Sequence, residues 1–100
     1  MRNEGGAGMI AVKETVTITN KRGLHARASA KFVSMVTLLP EGLDVRVGKD
    51  GAEASGGSIL GLMMLGAARG DTVEICVSGE GAEAALLKLA GLVKDGFGED

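Results

Sequence analysis

The sequence predicts an α+β fold, a small sheet with helices covering one face, and three observations carry that prediction. Segments 12–19 and 72–78 alternate apolar and polar residues with the two-residue period of a half-buried strand. Segments 26–38 and 82–94 space their apolar residues at helical intervals instead. With the shorter segments between them, the order reads β-α-β-β-α-β-α, with turn residues at the joints. Strands with one apolar face and helices between them call for an antiparallel or mixed sheet covered on one side.

The chain of 100 residues suffices for one domain. Residues 1–9, MRNEGGAGM, are expected to form a flexible tail, with Met9 an alternative start to Met1, and residues 10–100 a single domain. Only two residues are aromatic, Phe32 and Phe97, so the core must be aliphatic. In the first strand Val12, Val16 and Ile18 form the apolar row, Glu14 interrupts it, and Thr15, Thr17 and Thr19 face water. Asn20-Lys21-Arg22-Gly23 reads as a loop. In the following helix Ala26, Ala30, Val33 and Val36 make the stripe with Phe32 beside them, and Ser29 and Ser34 fall off it. Pro40-Glu41-Gly42 stops that helix.

Leu43, Val45 and Val47 mark a second strand, and Asp50-Gly51 is a strong signal for a tight hairpin into a third, about 52–54. Ser58 is placed to cap a short helix that ends near Gly66. Val73, Ile75 and Val77 form the inner row of the fourth strand, with Glu74 and Cys76 turned outward like Arg46 on the second. The last helix buries Ala82, Ala85, Leu86, Leu89, Leu92 and Val93.

Composition removes several functions. A net charge of −2 and the lack of an aromatic platform argue against nucleic-acid binding. One cysteine and one histidine allow neither an internal disulfide nor a metal cluster. No apolar run approaches a membrane span and the first residues hold no signal-peptide core, so a cytoplasmic protein is expected, and its size and charge make a monomer the default. The run Gly51–Ser58 has the glycine spacing of a P-loop, but Gly57 stands where the lysine must be, which excludes nucleotide binding there.

The single histidine lies in Arg22-Gly23-Leu24-His25-Ala26-Arg27-Ala28-Ser29. A lone histidine is more often surface filler or a satisfied core residue. This one follows a glycine loop and opens a helix, where backbone N–H groups lack intrahelical partners and attract anions. A neutral imidazole is a nucleophile. A phosphoryl group on its ring would meet those donors at Ala26 and Arg27, and the Arg27 guanidinium could add a charge-assisted fork. Ser58 is first a helix cap, and second a candidate for phosphorylation at a helix start. Ile59-Leu60-Gly61-Leu62-Met63-Met64-Leu65 is apolar nearly all round. It reads either as a buried helix, or as one with Ile59, Leu62 and Leu65 inward and Leu60, Met63 and Met64 outward as a partner surface.

Two stretches, RGLHARAS with AKFV behind it and Gly57-Ser58-Ile59-Leu60-Gly61-Leu62-Met63 with Leu65-Gly66, resemble the histidine-containing phosphocarrier (HPr) family of the bacterial phosphotransferase system. The resemblance covers about residues 10–95. It implies an open-faced β-sandwich of four antiparallel strands with three helices on one face. It implies that His25 accepts a phosphoryl group on Nδ1 from Enzyme I, charged by phosphoenolpyruvate, and passes it to a histidine of an enzyme IIA protein. By the same resemblance Arg27 is the active-site arginine, Ser58 the serine modified by HPr kinase/phosphorylase, and Ile59, Leu60 and Met63 the docking surface. No cofactor is implied, and the protein is a phosphoryl-transfer intermediate rather than a stand-alone enzyme. The departure is Ala28, where the family commonly has proline; alanine restores a backbone N–H and loosens the first turn. His-Ala-Arg-Ala-Ser resembles the nitrogen-related branch, NPr, and so a regulatory relay. The rival reading is an interaction module docking through Ser58–Met64, toggled by phosphorylation without net transfer.

Overall fold

The computed structural model describes residues 11–99, so the expected tail at 1–9 lies outside the described residues. The strands are β1 (Ala11–Thr17), β2 (Asp44–Lys49), β3 (Ala52–Ser55) and β4 (Thr72–Ser78). The helices are α1 (Ala26–Thr37), α2 (Ile59–Met64) and α3 (Ala82–Lys94), followed by a single 3-10 turn at Gly96–Gly98. The sheet is fully antiparallel in the order β1-β4-β2-β3. This is the α+β architecture expected from the order of periodicities.

Register places the apolar rows together. Val12 faces Val77 and Val16 faces Val73 across β1 and β4, while Val47 faces Ile75 across β2 and β4. Side chains alternate between the faces of a strand, so these residues share the covered face. There they meet Phe32 of α1, Leu62 of α2, and Ala85, Leu89 and Val93 of α3 in one core. The opposite face carries Lys13, Thr15, Thr17, Arg46 and Glu74 and is open. Helix α3 packs on β1 and β4, and α1 packs against α2 and α3.

Glu14, which interrupts the apolar row of β1, sits on the covered side and is half-buried. It is tolerated there because Nζ of Lys94, at the end of α3, lies 2.6 Å from its carboxylate. The β2–β3 hairpin has Asp50 at φ 51° and Gly51 at φ 85°, the paired positive values that a two-residue turn of this hand requires.

Two expectations are corrected. In α1 Phe32 is buried and Val33 and Val36 pack against the core as expected, but in the first turn Ala28 and Ser29 are the inward residues and Ala26 is exposed. Ser29 is fully buried because its hydroxyl donates to the Leu24 carbonyl at 3.3 Å, which gives a polar group a partner inside the core. Helix α2 is not enclosed: Leu62 is buried, but Leu60 is 67% and Met64 78% exposed, with Ile59 and Met63 open as well. Ile59, expected inward, is outside because a six-residue helix packed on α1 and β3 can bury only one narrow face.

Candidate functional site

The loop before α1 is built so that the helix starts abruptly at its histidine. Gly23 has φ +64°, and a Cβ there would stand 2.3 Å from the Ala67 carbonyl oxygen, so the chain can pass only as glycine. Next to it the Leu24 N–H donates to the same Ala67 carbonyl at 2.9 Å, tying this loop to the segment between α2 and β4. His25 is the N-cap residue, extended at φ −75° and ψ −179°, and its carbonyl accepts from the Ser29 N–H at 2.9 Å. The N–H groups of Ala26, Arg27 and Ala28 precede the first intrahelical bond and have no helical partner.

The His25 side chain does not cap its own helix. It turns to the far end of the chain, where Nε2 lies 2.6 Å from Oε2 of Glu99. Both side chains are more than four-fifths buried. The other oxygen of Glu99 accepts from Nδ2 of Asn20 at 3.0 Å, and the same Nδ2 donates to the Gly23 carbonyl at 2.8 Å. Two acceptors on that nitrogen fix which way the Asn20 amide points. The segment carrying Glu99 is held from two sides. Phe97 is buried in the core with φ +58°, and the Lys31 ammonium of α1 donates to the Phe97 carbonyl at 2.7 Å. Asn20 first, then the His25 ring, holds the Glu99 carboxyl below the usual glutamate range; burial opposes this, and Lys31 adds a smaller favourable field.

The first turn of α1 thus brings together His25, the Ala26 and Arg27 amides, and a carboxylate from the opposite end of the sequence. Arg27 is exposed on that turn, and its guanidinium takes no part in the bonds that hold His25 and Glu99. Ala28, at the place of the expected proline, is fully buried. Ser58 caps α2, accepting at Oγ from the Gly61 N–H at 2.9 Å. Beside it, Ile59, Leu60 and Met63 form an exposed apolar patch on a helix that packs against α1. Sequence reasoning missed Glu99, Asn20 and the Lys31 brace, because no local pattern links residues 74 positions apart. Among the described residues no group of acidic, histidine or cysteine side chains could hold a metal ion, and no helix is long and apolar enough to cross a membrane.

Comparison with known proteins gives a consistent picture. Residues 12–95 match the family model described as the PTS HPr component phosphorylation site. The chain is 37% identical over 94 residues to the phosphocarrier protein NPr of Escherichia coli K12, covering 91% of this chain and all of the relative. It is 40% identical over 88 residues to the phosphocarrier protein HPr of Neisseria meningitidis serogroup A, covering 88% and 97% of the two chains. The crystal structure of HPr-C-His from Thermoanaerobacter tengcongensis superposes with a TM-score of 0.82 at 35% identity, over 89% of this chain and 98% of the other.

Proposed function

The chain belongs to the PTS HPr family, and from that premise we propose that it is a phosphocarrier that takes a phosphoryl group on His25 from Enzyme I and gives it to a histidine of an enzyme IIA protein. The observation that carries this reading is the His25 ring at the start of α1, held at Nε2 by Glu99. That leaves Nδ1 as the nitrogen to be phosphorylated. The group arriving there meets the N–H groups of Ala26 and Arg27, whose orientation and partial positive charge suit an anion. Arg27, exposed beside them, is assigned to the phosphoryl oxygens, where its planar fork can bond two at once. The carrier is a cytoplasmic monomer that needs no cofactor, and the reaction requires its partners at both steps.

We assign the chain to the regulatory, NPr-like branch on the His-Ala-Arg-Ala-Ser sequence. The overall identities, 37% to an NPr and 40% to an HPr, favour neither branch, so the local motif decides. Ser58 is proposed as a regulatory phosphorylation site for an HPr kinase/phosphorylase, with Ile59, Leu60 and Met63 as the docking surface. A phosphate on Ser58 would place about −1.5 to −2 charges beside that apolar patch and weaken docking on an apolar or acidic partner.

The test is to mix the protein with phosphoenolpyruvate and Enzyme I and record intact mass before and after acid. One acid-labile phosphoryl group, absent in His25→Ala, is expected. No uptake by folded protein, with a known carrier labelled in parallel, would overturn the carrier assignment. The exposed patch on α2 supports a second reading, an interaction module whose affinity is toggled without net transfer. That reading requires phosphorylated His25 to keep its label when an enzyme IIA acceptor is added, whereas a carrier loses it.

A further inference from the structure

We propose that Glu99 is a positioning residue for the phosphoryl transfer: its carboxylate holds the His25 proton on Nε2 and thereby leaves the lone pair on Nδ1. The inference rests on the proposed carrier role of His25 and goes beyond it. It concerns a residue four positions past the end of the family match at residue 95.

The argument is one of donors and acceptors. An ionised carboxylate can only accept. Both Glu99 oxygens are occupied, one by Nδ2 of Asn20 at 3.0 Å and one by Nε2 of His25 at 2.6 Å. The neutral ring must then carry its proton on Nε2 to make that bond, and Nδ1 is the bare nitrogen. The carboxylate cannot move aside to suit the other tautomer. Phe97 buries its ring two residues earlier, Lys31 fixes the Phe97 carbonyl, and Asn20 ties Glu99 to the Gly23 loop that leads into His25. The loop that leads into His25 and the helix that follows it thus both also brace the Glu99 segment.

The chemistry of the step shows why the proton's position matters. The Nδ1 lone pair of His25 attacks phosphorus, and an N–P bond forms. The bond from phosphorus to the donor group of Enzyme I breaks, and its electron pair returns to that donor group. The His25 ring becomes cationic without any proton being transferred during the attack, and its Nε2–H remains shared with Glu99. With the proton on Nδ1, the attacking nitrogen would have no lone pair in the ring plane and would first have to lose a proton. A carboxylate that fixes an imidazole tautomer serves hydrolytic triads in the same way.

Glu99→Gln separates this role from simple packing. Glutamine matches glutamate in shape. Its carbonyl can accept from Asn20 while its NH2 donates to a bare Nε2, which drives the His25 proton to Nδ1. The experiment is 15N NMR of the imidazole well above the ordinary histidine value of about 6.5, on wild type, Glu99→Gln and Glu99→Asp, alongside the rate of phosphoryl uptake from Enzyme I. Wild type is expected to show a protonated Nε2 and Glu99→Gln a protonated Nδ1, with uptake slowed by about tenfold or more. Glu99→Asp, shorter but still only an acceptor, is expected to keep the wild-type ring spectrum and to recover part of the rate. The proposal is overturned if Glu99→Gln keeps its proton on Nε2, or if the proton moves and the rate does not change. If wild type takes up no phosphoryl group at all, the carrier assignment fails, while the ring spectra still decide whether Glu99 sets the tautomer.

Discussion

His25 and Ser58 each stand at the start of a helix, and the two helices pack against each other, yet their side chains do opposite things. The serine directs its oxygen inward, accepting from Gly61 of its own helix. The histidine turns away from its helix to a carboxylate at the other end of the chain. One residue satisfies a helix end; the other leaves the helix end unsatisfied and ready for a ligand. The surroundings follow the same division. Around His25 the partners are polar, mostly buried and cross-braced by Asn20 and Lys31. Around Ser58 the outward side chains are apolar and open. A residue at a helix start is a reactive candidate when its polar atoms are not consumed by the helix it begins.

The largest effect that would sharpen this contrast is chemical. His25→Ala is expected to lose all acid-labile phosphoryl uptake, read by intact mass, while Ser58→Ala retains it. Next comes the anchor of the carboxylate: Phe97→Ala should cost about 3–5 kcal/mol, read from the urea midpoint, because its buried ring fixes the segment that carries Glu99. On α2 the two faces should separate cleanly. Leu62→Ala is expected to cost about 2–5 kcal/mol, while Leu60→Ala stays within about 0.5 kcal/mol and instead weakens partner binding, read by titration calorimetry. Equal stability losses at both positions would break the distinction between a core face and a docking face.

The loss of the cap in Ser58→Ala should be smaller, about 1 kcal/mol, measured by the same urea unfolding. The smallest effect is pH-dependent. The Glu99 carboxyl titrates lower in the folded chain than in the unfolded one. Its contribution is therefore complete above the ordinary glutamate range and disappears as pH falls through the lower, folded value. Urea midpoints of wild type and Glu99→Gln should accordingly differ at neutral pH and converge in acid.

Most of the fold was legible because its signals are local. Asp50-Gly51 named its turn, Ser58 its cap, and the fourth strand and last helix their own extents, each through residues only a few positions apart. In α1 the apolar pattern locates Phe32, Val33 and Val36 but not the inward face of the first turn, because a buried hydroxyl such as that of Ser29 looks like a surface residue until its acceptor, the Leu24 carbonyl, is known. The position of His25 at a helix start was likewise local, set by Gly23 and the change of period after it. Glu99 was not legible. It follows a glycine-flanked phenylalanine in the left-handed region, with no periodicity to announce an inward course, and its partner is 74 residues away.

The seating of Glu99 has a practical consequence for anyone handling this protein. A bulky group placed on the segment around Glu99 stands next to the carboxylate that grips the histidine ring. A fluorescent reporter attached there would crowd the His25 ring, the proposed place of phosphoryl uptake, and a slow preparation would then be mistaken for a defective protein. Attachment on the open face of the sheet, away from His25, or a label removed before assay, separates the behaviour of the molecule from that of its label.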